Sequence, residues 1–73
     1  MNGIKIGDRY KERMVPFPGE FFSWEYEVVG FRTESYGDFA QCERIFSDGK
    51  REREKVGISI DLLTEEIFFK KVA

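Results

Sequence analysis

Residues 21–31 read FFSWEYEVVGF, and the alternation of rings and charges within them decides what fold the chain takes. Phe22, Trp24, Tyr26 and Val28 recur every second position, with Ser23, Glu25 and Glu27 between them. Successive side chains of a strand point to opposite faces, so this pattern describes a β-strand with one buried and one wetted face. An exposed stripe of rings would be an aggregation hazard on so small a chain, so the rings are read as core. Gly30 interrupts the run and predicts a bulge or sharp bend.

Outward from that strand the same period continues. Ile4 and Ile6 alternate ahead of Gly7-Asp8, and Tyr10 resumes the pattern, which predicts a short first strand or turn. MVPFPG (14–19) reads as a loop, because Pro16 and Pro18 deny the ladder their N–H groups. ESYGD (34–38) reads as a turn before a strand over 39–46. SDGK (47–50) is a hairpin signal, since Asp-Gly suits positive φ. REREKVGIS (51–59) follows as a strand. In SIDLL (59–63), Ser59 is placed to cap a single helical turn that folds Leu62 and Leu63 inward. Residues 65–72 then read as a closing strand. The expected fold class is all-β with one short helical turn: a small five-stranded SH3-like barrel, with an OB-like barrel as runner-up. A closed sheet would also remove exposed strand edges.

IGDRY near the start, YEVVGF in the second strand, the central DGK hairpin and FFKKV at the end resemble small uncharacterised SH3-like barrel proteins of bacteriophages and other mobile elements. The likeness spans most of the chain. It implies a barrel and a phage or bacterial source, and it brings no catalytic or binding residue with it.

Seventy-three residues make one domain, 1–73, because a second would have no room for a core. Such a chain buries only roughly 60% of its unfolded surface. Eight Phe, three Tyr and one Trp must supply that core, each ring burying on the order of 150–250 Å². Cys42 is the single cysteine, so no disulfide forms within the chain. Histidine is absent, so the usual zinc sets and the Ser-His and Cys-His nucleophile systems cannot be assembled. The glycines form neither GxGxxG nor a P-loop. Paired carboxylates occur at Glu25/Glu27, Glu52/Glu54 and Glu65/Glu66, where a charged outer face is what a small barrel needs. The reading is non-enzymatic, with no metal and no cofactor. The longest apolar run is Ile67-Phe68-Phe69, against the roughly 20 residues of a membrane helix. With no apolar leader in MNGIKIGDRY, a cytoplasmic location away from membranes is expected.

Net charge is −2, unevenly spread. Residues 20–48 hold seven acids against Arg32 and Arg44, or −5, whereas residues 1–19 and 49–58 each come to +2. The acidic middle offers Glu25, Glu27, Glu34 and Asp38 to a basic groove on a protein partner, such as a host or defence factor. In KREREK (50–55), Arg51, Arg53 and Lys55 share one strand face and Glu52 and Glu54 the other. A strand charged on both faces is expected to project as a hairpin arm. Its basic stripe is the basis of a second reading, weak nucleic-acid contact. Phe17 in the proline loop and Tyr36 in the turn are candidate binding rings. A protein-binding module is the leading reading, followed by the nucleic-acid barrel and by a self-associating structural component.

Overall fold

The computed structural model describes residues 3–14 and 17–72. Five strands and one helical turn follow in chain order: β1 (Arg9–Met14), β2 (Phe17–Glu34), β3 (Gly37–Ile45), β4 (Arg51–Ser59), α1 (Ile60–Leu63) and β5 (Phe69–Lys71). They form one antiparallel sheet in the order β4-β3-β2-β1-β5. The first four strands are sequential hairpin neighbours, and β5 returns to the far side of β1.

β2 is the spine. Its 18 residues would span about 60 Å if straight, yet the longest dimension of the molecule is 32 Å. The strand therefore has to bend. One bend comes where Val28 faces Cys42 while Gly30 already faces Gln41, leaving Val29 unmatched. This is the bulge expected at Gly30. It also turns Phe31, opposite Ala40, onto the same face as Val28. The lower half of β2 pairs with β1 and the upper half with β3, so the bent strand curls the sheet around one interior.

That interior is lined by Ile4, Tyr10, Tyr26, Val28, Ala40, Cys42, Ile58, Ile60, Leu63 and Phe69, with Trp24, Phe31, Val56 and Phe68 packed on its margin. The ringed face of 21–31 is thus the core face. Tyr26 meets Phe69 edge to face, 6.2 Å between ring centres, and Phe22 stacks on Trp24 at 4.9 Å. Cys42 is fully buried, and desolvation pushes its thiol up to about 11, so it sits as a small apolar side chain rather than as a nucleophile.

Several expectations change. The sheet is not closed: β4 and β5 are its two edges and do not pair with each other among the described residues. The closing strand shrinks from 65–72 to Phe69–Lys71, because 65–68 fold as a turn. The Phe68 and Phe69 amides both donate to the Glu65 carbonyl, at 2.9 and 3.1 Å, and so are not available for strand pairing. Leu62 and Leu63 do not both fold inward: Leu63 is buried and Leu62 exposed, as one helical turn requires of adjacent residues. Ser59 makes no side-chain cap bond. Instead the Thr64 hydroxyl donates to the Ile60 and Asp61 carbonyls at the other end. Phe17 and Gly19 belong to β2 rather than to a loop, while Val15 and Pro16 lie outside the described residues. Residues 3–8 are a turn, with Gly7 at φ 96°. The SDGK hairpin forms as expected, with Gly49 at φ 86° and the Lys50 amide donating to Asp48 Oδ1. β4 runs over 51–59.

Candidate functional site

On the outer face, cross-strand register assembles an ion-pair ladder. Arg9 of β1 sits opposite Glu27 of β2, which sits opposite Glu43 of β3. Arg51 of β4 reaches back over that row, its Nη1 at 2.6 Å from Glu27 and 3.0 Å from Glu43. Arg9 contacts Glu27 at 3.3 Å and Glu25 at 3.8 Å. Two arginines therefore hold three glutamates across four strands. The hydrogen bond from Arg51 is the main cause that keeps the Glu27 carboxyl below its ordinary value of 4.5, against desolvation that raises it. The backbone amide of Lys5 does the same for Asp8.

A depressed carboxyl stabilises the fold above its ordinary pKa, and that contribution is lost as pH falls through the lower folded value. Acid lability is thus expected to set in below pH 4.5. Replacing Glu27 with glutamine is expected to lower the urea midpoint at pH 7 while shrinking the drop between pH 7 and pH 3. An unchanged pH 7 midpoint would show that the ladder contributes nothing.

This geometry relocates several candidate residues. Glu25 and Glu27 are engaged by Arg9 and Arg51. Glu34 is held by Arg32 at 2.9 Å, and Asp38 accepts from the Thr33 hydroxyl at 2.9 Å. All four acids of the proposed partner surface thus have partners within the chain. Arg51 is paired with Ile45 of β3 and its side chain reaches Glu27 of β2, so β4 is held to the sheet at that point instead of projecting free. Only Arg53 and Lys55 of the basic stripe remain exposed without an ion pair among the described residues. Phe17 is exposed at the start of β2, opposite Met14. Tyr36, the most exposed large hydrophobic side chain described, leans edge-on against Phe39 at 5.5 Å. Neither of the two cavities flanking Phe69 is lined by Phe17, Tyr36 or the basic stripe.

The inner face has a polar margin that sequence reasoning missed. Arg44 lies 5.0 Å above the Trp24 ring and 5.5 Å from that of Tyr26. It donates to the Tyr26 hydroxyl at 3.4 Å and pairs with Glu52 at 3.6 Å. The Tyr26 hydroxyl in turn donates to Glu12 at 3.3 Å. Trp24 Nε1 and Arg44 Nε are buried without a hydrogen-bond partner among the described residues. These contacts join β1 to β3 and β4 across the bent sheet, and no local motif announces them.

Two cavities flank Phe69. One, of about 500 Å³, is lined by Ile4, Tyr10, Arg13, Leu63, Glu66 and Lys71 among others. Its Arg13 and Lys71 already meet the Glu66 carbonyl at 2.6 Å and Asp8 at 3.4 Å. The other, of about 320 Å³, lies in the open seam of the sheet. Val56, Gly57 and Ile58 of β4 form one wall, Leu62, Phe68 and Phe69 the other, and Tyr26 and Glu12 complete the lining. Apolar walls with one phenol and one carboxylate suit the capture of an apolar segment by a few directed polar contacts. None of the seam residues was singled out from the sequence as a binding residue; Tyr26 was read only as core. The only signal for Leu62 was its place in SIDLL, which put it inside rather than on a rim.

Among the described residues no set of side chains is arranged to hold a metal ion, and no helix is long and apolar enough to cross a membrane. Compared with protein-family models, with curated proteins and with solved structures, the chain matches none.

Proposed function

We propose that this chain is a non-enzymatic binding module that holds an extended segment of a protein partner in the seam between β4 and β5. One observation carries the reading: the uncharged end of an edge strand, Val56–Ser59, runs beside an apolar cavity of about 320 Å³. A free edge offers unpaired N–H and C=O groups, and strand addition uses that edge for affinity while a neighbouring pocket selects side chains. The strand order, with a helical turn between β4 and a β5 that returns to β1, favours an SH3-like barrel left open at one seam over an OB-like Greek key. Glu12 and the Tyr26 hydroxyl at the margin favour a captured segment with a donor-bearing side chain among apolar neighbours. The resemblance to phage and mobile-element proteins would make it a phage or bacterial accessory protein.

Selection from a displayed random-peptide library tests this reading. Enriched peptides are expected to shift the amide signals of residues 56–62 and 68–69, and to bind at least tenfold more weakly to Leu62→Asp. Leu62 is 45% exposed, so the variant should fold. Peptides that map to another surface, or that bind Leu62→Asp equally well, would overturn the seam as the site.

A further inference from the structure

We propose that residues 51–55 make the free edge of β4 sign-coded: it rejects antiparallel pairing with a second copy of this chain and accepts an antiparallel extended strand whose charges alternate in the opposite sense. The proposal rests on the seam reading for where the accepted strand continues, beyond residue 55.

Arg51, Arg53 and Lys55 occupy odd positions of β4, and Glu52 and Glu54 even ones. Arg51 lies on the outer face with Glu27 and Glu43, whereas Glu52 shares the inner face with Arg44, and Ile58 shares it with the core. Sign is therefore sorted by face at Arg51 and Glu52, and because Val56 returns to the inner face opposite Cys42, the period of two assigns Arg53 and Lys55 to the outer side and Glu54 to the inner. Two copies joined edge to edge in antiparallel fashion are related by a two-fold axis normal to the sheet. That operation keeps outer face with outer face, so residues directly opposite share a face and hence a sign. Shifting the register does not help, because pleated strands slip in steps of two residues and the signs repeat every two. Every antiparallel self-pairing through these residues sets cation against cation and acid against acid, which is destabilising.

Two observations separate this arrangement from ordinary surface charge. Intrachain pairing accounts for Arg51 and Glu52 only; Arg53, Glu54 and Lys55 form no ion pair among the described residues. Those three residues also face a single residue of β3, since Arg44 pairs with Glu52 and Cys42 with Val56. A bulge of this kind twists the edge and adds a second guard. The guard stops where the seam begins, because Val56–Ser59 carry no charge. A strand accepted along the whole edge would set acids opposite Arg53 and Lys55, a cation opposite Glu54, and apolar side chains over the seam.

The code can be tested without knowing the natural partner. The triple variant Arg53→Glu, Glu54→Lys, Lys55→Glu reverses the three unpaired charges and leaves Arg51 and Glu52 in place. Isotope-labelled wild-type chain is titrated with unlabelled variant at low ionic strength, and each chain is also titrated with itself. The mixed pair is expected to associate roughly tenfold or more tightly than either self-pair, to shift amides within 51–59, and to weaken in salt. No localised shift on mixing, or self-pairing of the wild type through 51–59 as tight as the mixed pair, would overturn the code. Peptide capture lost in Leu62→Asp but retained in the triple variant would show that the seam stands even where the code fails.

Discussion

Replacing Phe69 with alanine is expected to cost about 3–5 kcal/mol and to release β5 before the rest of the sheet. Phe69 is 8% exposed, meets Tyr26 edge to face, and forms a wall of both cavities. β5 has only three residues, too few to hold themselves against β1 by ladder bonds alone. Its attachment reads out through two amides: Arg13 donates to the Phe68 carbonyl and Val72 to the Arg9 carbonyl, both at 2.8 Å. In the variant these two should exchange with solvent at least tenfold faster relative to Val28, whose amide donates to Asp8 near the middle of the sheet. An equal rise across all five strands would show that β5 does not open as a unit.

The second large effect is expected at Leu63. It is the largest of the fully buried side chains and sits in a helical turn of four residues, which cannot persist without tertiary packing. Leu63→Ala leaves a cavity under that turn and is expected to cost about 2–5 kcal/mol. A domain of this size has on the order of 4–11 kcal/mol in total. The thermal midpoint should therefore fall by roughly 10–30 °C, whereas Leu62→Asp, one residue earlier but exposed, should move it by only a few degrees. Calorimetry on the two variants checks the contrast. Equal losses would mean that the turn does not anchor through Leu63.

How much of this was legible differs residue by residue. The core face of β2 could be read because a period of two with Trp24, Tyr26 and Val28 on one side has a single strand interpretation. The bulge near Gly30 and the hairpin at Gly49 could be read because glycine marks backbone that other residues avoid. The limits of β4 could be read because SDGK precedes it and the apolar rhythm changes after Ser59. The fate of Arg51 could not. Its alternation with Glu52 placed it on one face of a projecting arm, but the register of β4 on β3 and of β3 on β2 brings Glu27, 24 positions away, to 2.6 Å from its guanidinium. Leu62 and Leu63 looked equivalent as letters, and only the angle at which the turn leaves β4 decides which one is covered.

By itself, then, the sequence determined the strand pattern, the ringed core, the turn chemistry and the absence of histidine chemistry, because each depends on a residue and its near neighbours. Whether the sheet closes, which acids find arginines, and where an apolar cavity opens were decided only by the tertiary structure. Those outcomes depend on how far one long strand bends, and on whether the last segment uses its backbone bonds in a turn or in a ladder. Neither is set by any short stretch of residues.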